Sequence, residues 1–570
     1  MWSGDDGRKR IMVLQGSYEM AGNREGLAKD PRLFARQTID NLKSHLVLRQ
    51  ETLSLDLGKA VRVAEYSIIR IATNRGFYGA RVLFLGLVTA QILATTQVYL
   101  SNAHLYRSLT AIKDAGYLAI PNQRIMDSLG ELSPAFFGGL FFTLSVGAGL
   151  SLICLAAVWV WDRLLSRNRY LLLVFALVWM GCLAEVNRRG FCPMVTSYFL
   201  LIPVVVVFAS IRWMPAPFRQ GIWLNKMAHG IPVLLLALLW TSQMDSHLFL
   251  DLRDNLLLSN PLGAKINDFY YRYTPYPAEV FKTLDQKTLK TCDLENIQQK
   301  PLVRSMERAL LKHDYLHVGG DGPVDLKIAQ GGNGLVFENR GREILRTTAK
   351  DFISCPGTVL KAFSLKSDRH TFFRRFTFFS LLIGFPLTLY AILYTLCRLV
   401  SGFFLDARVS SVVASALCFA IGVTVLVVFH CSRGKEIEVK DLTEALKSEH
   451  WQKRVAGLKI IGQKGMEVSD FQAYHGMLTS PHVPERYWLV RALGVSRQSE
   501  TYRDLLALLD DPHPNVVRMA FYALGQRADR RAVTEIMKRI EASTDWYNQW
   551  YAYKALRALG WKQTRLKQKP

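Results

Sequence analysis

Long runs of apolar residues alternate with polar segments along this chain. Seven runs contain no Asp, Glu, Lys or Arg, and they lie at 82–100, 135–161, 170–184, 194–211, 230–244, 376–397 and 409–429. A helix needs about twenty apolar residues to cross the hydrocarbon core of a bilayer. The pattern therefore predicts a polytopic α-helical membrane protein. The fifteen-residue runs at 170–184 and 230–244 are short crossings, re-entrant segments or buried helices.

The polar region 1–81 contains a different pattern just before the first run. Apolar residues recur there at spacings of four and three, at Leu57, Val61, Ala64, Ile68 and Ile71. This period is typical of an amphipathic helix. Because Arg75 and Arg81 follow it directly, we favour a helix lying in the membrane interface over one packed on soluble parts of the chain.

Residues 245–375 have the composition of a soluble domain and are too many for a structureless loop. A helix is predicted at 301–315, an alternating segment at 324–329, and a hairpin from 335–337 and 343–345. Gly-rich segments at 319–322 and 331–334 bracket the alternating stretch. They lack the GK[ST] sequence of a phosphate-binding loop, so turn glycines explain them better. The segment is predicted to be a small α+β extramembrane domain.

The chain turns polar after residue 430, and a repeat follows. The sequences GLKIIG, WLVRALG, AFYALG and KALRALG end at Gly462, Gly494, Gly525 and Gly560, with spacings of 32, 31 and 35 residues. A fixed period of this size is typical of stacked helical units. We refer to residues 440–561 as the repeat segment.

The third unit, residues 505–526, resembles the HEAT family, and in particular the short bacterial HEAT-like repeats of phycobilin lyases. Asp511 and Pro512 match the end of the first helix of such a unit, and Val517 and Arg518 match the start of the second. The unit at Gly560 departs most, because 543–551 replaces the usual proline turn. The resemblance implies an α-solenoid that binds proteins, although the family also includes lyases, so it indicates fold better than function.

Small residues of each unit are expected at the seam between neighbouring helices, where they allow close approach. The predicted seam residues are Gly462, Gly494, Ala523, Gly525 and Gly560. Four aromatic residues, Tyr487, Trp488, Trp546 and Trp550, are candidates for binding a protein partner, since Trp and Tyr often dominate interface energy. Alternatively, they fill the core of a short solenoid or cap its end.

Charge and cysteine usage narrow the candidate chemistry. The chain has 71 Lys and Arg against 47 Asp and Glu, and basic residues beside the apolar runs point to contact with membrane lipid rather than nucleic acid. The eight cysteines form no CxxC pair, which is the usual spacing of a thiol redox or zinc motif.

Asp245, His247, Asp251 and Asp254 are candidate ligands of a divalent cation, but no paired ligand signature accompanies them. No catalytic, cofactor-binding or metal-binding residue is assigned.

These features predict a mainly α fold. Its regions are the polar region 1–81, helices in 82–244, the α+β domain 245–375, a helical hairpin 376–430, the repeat segment and a basic tail 562–570. The preferred function is a membrane-anchored interaction scaffold. The alternative is a transporter or membrane-enzyme core regulated by its repeats, and whether the chain is an enzyme stays open.

The expected location is the cell membrane. Because the last two runs are joined by a short connection, the α+β domain and the repeat segment are predicted on the same side. Basic residues flank both ends of the runs almost equally, so they do not decide which side that is. An even number of crossings would place both chain ends in the cytoplasm, and on that ground we favour cytoplasmic soluble domains.

Overall fold

The computed structural model describes residues 77–214, 223–294, 297–319, 322–332, 334–433 and 437–565. The amphipathic helix predicted before residue 77 lies outside these residues, as does the end of the basic tail. Parts of the two Gly-rich segments are also outside them.

The first five apolar runs form helices longer than the runs themselves. These helices are α1 (Tyr78–Asp114), α2 (Leu132–Arg163), α3 (Arg169–Asn187), α4 (Pro193–Trp213) and α5 (Trp223–Thr241). The two fifteen-residue runs lie in α3 and α5, each 19 residues long, because polar flanking residues continue the helix.

The segment after α5 forms connecting helices and a small α+β domain. Its helices are α6 (Pro261–Tyr273), α7 (Pro275–Phe281), α8 (Lys300–Lys312), α9 (Ala349–Ser354) and α10 (Pro356–Ser367). Its strands are β1 (Lys290–Asp293), β2 (Tyr315–His317), β3 (Leu326–Gly331), β4 (Gly334–Asn339) and β5 (Arg342–Thr347). The sheet order is β2-β1-β3-β4-β5.

The sheet differs from the sequence prediction at its first two strands. β1 pairs in parallel with β2 and β3, whereas β3, β4 and β5 form an antiparallel meander that contains the predicted hairpin. The helix predicted at 301–315 ends at Lys312, because Asp314 takes a left-handed conformation and Tyr315 begins β2. The core between sheet and helices contains Met306 and Phe337, both fully buried.

Two more apolar helices, α11 (Thr371–Ser401) and α12 (Ala407–Ser432), complete what we call the helical bundle. Within the described residues, α1, α2, α4, α11 and α12 are long and apolar enough to cross a membrane. Shorter apolar helices occur at Leu172–Asn187 and Gly230–Thr241. A π-helical segment at Ser380–Gly384 precedes Pro386, where the backbone cannot continue regular hydrogen bonding.

The bundle has two distinct ends. At one end the hydroxyl of Tyr78 donates to the carbonyl of Ser210 at 2.9 Å, so α1 begins where α4 ends. At the other end Gln243, just after α5, lies 3.2 Å from the His430 ring near the end of α12. We call this second end the domain end, because the α+β domain and the repeat segment both lie there. The seven helices run alternately between the two ends.

The repeat segment is a two-row stack of helices. The outer row contains α13 (Leu442–Lys447), α15 (Tyr474–Met477), α17 (Ser499–Ala507) and α19 (Ala532–Ala542). The inner row contains α14 (Trp451–Lys464), α16 (Val483–Val495), α18 (Pro514–Arg527) and α20 (Trp546–Ala558). Each inner helix packs on the next.

Three of the five predicted seam residues lie between inner helices. A Cβ placed on Gly494 would come 2.9 Å from the Cβ of Ala523, and one on Gly525 would come 3.0 Å from the Cα of Ala555. The other two differ from the expectation. Gly462 has no atom within 4 Å of such a Cβ, and Gly560 follows the last helix with a left-handed φ of 82°.

Two buried arginines and one half-buried arginine of the inner helices pair with carboxylates of the following unit. Arg454 pairs with Glu485 at 2.5 Å, Arg486 with Asp511 at 2.6 Å, and Arg518 with Asp545 at 2.8 Å. The three arginines are spaced by 32 residues. We call these three pairs the arginine ladder. The sequence position that would continue it is occupied by Trp550.

The seam geometry makes opposite predictions for two glycines in equivalent helices. Gly494→Ala forces α16 and α18 apart, and we expect it to lower the melting temperature of the full chain in detergent, at a cost of about 1–3 kcal/mol. Gly462→Ala meets open space and restricts the unfolded chain, so it should stabilise by up to about 1 kcal/mol. Equal shifts in the two variants, measured by thermal unfolding, would contradict this seam.

Candidate functional site

The aromatic residues predicted to bind a partner lie on the inner row, which faces the rest of this chain. Tyr487 is 6% exposed, Trp488 8% and Trp546 9%. Trp550 is half-buried. The burial of Tyr487, Trp488 and Trp546 favours the alternative in which these residues fill or cap the repeats, because residues of α6, α7 and the connections flanking the bundle cover them. Their assignment to an external partner stays a prediction.

A buried charge pair lies at the centre of this docking contact. The indole Nε1 of Trp488 donates to Asp254 Oδ2 at 2.8 Å, and Asp254 is only 2% exposed. Arg253 pairs with the same carboxylate at 2.6 Å and lies over the Tyr487 ring at 3.8 Å. Burial lowers the pKa of Arg253, but Asp254 together with Tyr487 and Tyr271 outweighs that effect, so the pKa is raised. Both aromatic residues therefore bind a paired charge of the same chain.

The connection between α1 and α2 holds the last repeat. The side chain of Asn122 donates to the carbonyls of Ile540, Glu541 and Ser543 at 3.1–3.2 Å. Its backbone N–H donates to Gln549 Oε1 at 2.8 Å. One asparagine thus reaches two carbonyls in the last turn of α19 and the carbonyl of Ser543 just after it.

The helix α6 covers the third and fourth repeats. Tyr271 packs edge-on against Tyr547 with ring centroids 5.5 Å apart, and the Arg518 guanidinium lies over Tyr271 at 4.5 Å. Tyr276, in α7, packs edge-on against Trp546 at 5.2 Å. Aromatic and cation–π contacts of this kind add to the apolar area that they bury.

The α+β domain joins the same repeat through Asp314. Its carboxylate accepts a hydrogen bond from Tyr553 at 2.6 Å and pairs with Arg557 at 3.0 Å. Arg557 also donates to the carbonyl of Lys312 at 2.8 Å. The left-handed turn at Asp314 that ends the predicted helix early therefore presents this carboxylate to α20.

The acidic residues weighed as cation ligands take part in ion pairs instead. Arg433 pairs with Asp245 at 2.6 Å and with Asp251 at 2.9 Å, while Asp254 pairs with Arg253. His247 is exposed beside them. Among the described residues, no group of His, Cys, Asp or Glu is arranged to hold a metal ion. These carboxylates fix the domain end of the bundle to the repeat segment.

A cavity of about 860 Å³ lies where the bundle, the α+β domain and the repeat segment meet. Its apolar wall comes from the bundle and α7, through Phe141, Phe281, Phe378 and Leu381. An aromatic wall comes from α20, through Tyr547, Trp550 and Tyr553. Its polar lining includes six cationic side chains, Lys282, Lys287, Lys290, Arg374, Lys554 and Arg557. A volume of this size is typical of a small-molecule site.

The comparisons with known proteins bear on the repeat segment alone. Residues 472–557 match the family model for HEAT repeats. The stacked helix pairs of these HEAT repeats agree with that match, which also confirms the resemblance inferred from sequence. No curated protein and no solved structure matches the chain. The HEAT repeats thus identify the fold of this segment, and the cavity and docking contacts rest on the geometry above.

Two groups of functional interest were missed from sequence. The arginine ladder has a signal in the sequence, because an arginine recurs every 32 residues, at Arg454, Arg486 and Arg518. The cavity cations were not readable, because they come from segments far apart in the chain. Lys282 and Lys554, for example, are brought together only when α20 docks.

Docking of the HEAT repeats predicts a specific effect of Trp488→Phe. The change keeps the ring but removes the donor to the buried carboxylate of Asp254, at a cost of about 1.5–3 kcal/mol. We expect faster hydrogen exchange in α6 and α16 and a lower melting temperature. Trp451→Phe is the matched control, since Trp451 stacks on His482 within the repeat segment itself. Docking would be refuted if both variants exchanged like the wild type.

Proposed function

We propose that this protein is a membrane-anchored interaction scaffold. The observation that carries the proposal is the asymmetry of the HEAT repeats. Their inner row is buried on the rest of the chain, whereas the outer row faces away from it except at the end of α19, which Asn122 contacts. HEAT repeats commonly bind proteins along an extended surface. The fixed inner row would then hold the outer row in one orientation for a protein partner.

The surface of the bundle supports membrane anchoring. Large apolar side chains on α3, α4, α5 and α11 are each more than half exposed, including Leu173, Val178, Phe208, Leu234 and Ile383. Apolar surface this extensive is rare on a soluble monomer and typical of contact with lipid. The five long apolar helices have the length that a crossing needs.

The helix directions support a sevenfold crossing. The side chain of Arg167, before α3, contacts the sulfur of Met214 after α4 at 3.2 Å, and Arg189, after α3, donates to the carbonyl of Asp368 at the domain end at 3.1 Å. α3 therefore extends between both ends. α5 lies along α12, where a Cβ on Gly422 would come 2.7 Å from Leu236. We place the α+β domain and the HEAT repeats, which both lie at the domain end, on the cytoplasmic face of the cell membrane.

A second candidate function is a transporter or membrane-enzyme core. Two observations favour it, namely the cavity shared by all three regions and polar groups buried inside the bundle. Gln97 and Asn102 are buried in α1, and Asn102 has neither amide atom hydrogen-bonded within the described chain. Polar groups inside a membrane bundle often line a substrate pathway. No catalytic residue is assigned among the described residues, so the transporter or membrane-enzyme core is the second proposal.

The scaffold proposal predicts that a partner binds the outer row. We expect a stable protein to copurify with the tagged full chain in mild detergent and to be lost in the variant Arg503→Glu/Lys538→Glu. Both side chains are exposed on the outer row. The control is Arg342→Glu/Lys350→Glu on the exposed face of the α+β domain. Recovery of the same proteins from both variants, quantified by mass spectrometry, would refute this surface.

The proposed topology predicts where an impermeant maleimide reacts in intact cells. Because all eight cysteines are unpaired, they can be replaced with serine before single cysteines are introduced. Gln330→Cys, at the domain end, should be protected until the cells are permeabilised. Ser166→Cys, between α2 and α3, should react in intact cells. Reaction of both positions from the same side would refute the three crossings by α3, α4 and α5 that separate them.

A further inference from the structure

The cations of the three-region cavity fall into two groups. Four are already paired. Lys287 pairs with Asp325 at 2.7 Å and Arg557 with Asp314 at 3.0 Å. Lys282 and Arg374 pair with Glu279 and Asp368. These four cations are neutralised by carboxylates of the fold. They therefore line the cavity without offering an unpaired charge to a ligand.

Lys290 and Lys554 are different. Neither forms an ion pair with a carboxylate of the described residues within 4.0 Å. Lys290 is 7% exposed and lies beside the ring of Tyr315 at 5.0 Å, whereas Lys554 lies over the ring of Trp550 at 3.7 Å. Lys290 is therefore a buried ammonium group without a counter-ion, which costs stability, whereas Lys554 is exposed. A ligand that brings negative charge would remove that cost.

The electrostatics of both lysines agree with this reading. Burial lowers the pKa of Lys290, and the carboxylates of Asp314 and Asp285 offset the effect only in part. Burial also lowers the pKa of Lys554, and the nearby charge of Lys282 lowers it further. The cavity therefore holds excess positive charge that the fold itself does not neutralise.

The opposite wall of the cavity is apolar and belongs to the bundle. Phe141 comes from α2, and Phe378 and Leu381 come from α11 near its first turns. Phe378 is also 49% exposed and contacts the ring of Phe249, which is itself 51% exposed. The apolar wall is thus continuous with the surface that we assign to lipid, at the level where a helix enters the bilayer.

We propose that this cavity binds an anionic phospholipid from the membrane. Its phosphate lies with Lys290 and Lys554, and the start of its acyl chains lies against Phe378 and Leu381. Phosphate is the chemistry that the two lysines recognise, and a soluble phosphate compound would share it. The apolar wall and its continuity with the lipid-facing surface favour the membrane as the source. The site rests on the membrane anchoring proposed above but not on the partner surface, since it involves the inner row rather than the outer one.

The test uses the full chain, delipidated in detergent, and titration with dihexanoyl phosphatidylglycerol followed by thermal unfolding. A ligand that binds only the folded chain raises the melting temperature by mass action. The wild type should show a saturable rise with phosphatidylglycerol and none with dihexanoyl phosphatidylcholine. In Lys290→Met/Lys554→Gln the half-saturating concentration should rise about tenfold or more, since two charge-assisted contacts are lost.

Two controls separate binding from folding. Lys350→Gln changes an exposed lysine outside the cavity and should titrate like the wild type. Lys290→Met removes an unpaired buried charge, so without lipid the variant should melt no lower than the wild type. A lower melting temperature for that variant would assign Lys290 a structural role and overturn its role as a ligand group.

The remaining outcomes identify the occupant or overturn the site. Equal titration of the double variant and the wild type would overturn the site. So would equal binding of phosphatidylcholine, because the lysines would then not recognise the anion. Inorganic phosphate or glycerol phosphate that binds as tightly as phosphatidylglycerol, with the same dependence on the two lysines, would overturn the membrane lipid as the occupant. Loss of copurifying protein alone, with lipid titration intact, bears on the scaffold and leaves this site standing.

Discussion

The burial of charge between the repeats and the rest of the chain is the constraint on which the arrangement depends. The arginine ladder places three guanidinium groups inside the repeat segment, and each is matched by a carboxylate of the following unit. Removing one member of such a pair leaves a buried charge, at a cost of about 3–5 kcal/mol. Each repeat therefore needs its neighbour in register, and Arg518 extends the same dependence outward, because its guanidinium also lies over Tyr271 of α6.

The ladder ends where the docking contacts become dense. The match to the HEAT family ends within the fourth repeat. Trp550 occupies the position at which the spacing of 32 residues would place the next arginine. The last inner helix, α20, instead packs through Tyr547 against Thr274, between α6 and α7, and through Tyr553 against Asp314 of the α+β domain. A solenoid leaves an unpaired face at its last repeat, and capping that face is a general requirement of repeat proteins. Here the chain's own bundle and α+β domain cover that face, so the cap and the docking interface are the same surface.

Which parts were predictable follows from the distance between interacting residues. The apolar helices, the α+β hairpin and the HEAT repeats depend on local period and composition, and the sequence indicated each of them. The close approach of helices at Gly494 and Gly525 was also predicted from the repeated glycine. Gly462 has the same place in the repeat, but no atom of a neighbouring helix lies close to it. The sequence did not show that the aromatic residues of the inner row face the rest of the chain. Trp488 bonds a carboxylate 234 residues away, and β1 and β2 pair across an intervening helix.

The position of the cavity links its contents to the docking of the repeats. α20 contributes Tyr553, which holds the α+β domain, and the next residue, Lys554, which lines the cavity with an unpaired charge. If α20 separated from Asp314, the cavity would lose one wall and one of its two free cations. A ligand that needs both lysines therefore binds only the docked arrangement and stabilises it in proportion to its affinity. By thermodynamic reciprocity, any partner that favours the docked repeats must also strengthen binding in the cavity. The two proposed sites would thus be coupled through α20, without contact between their ligands, wherever a partner favours the docked repeats.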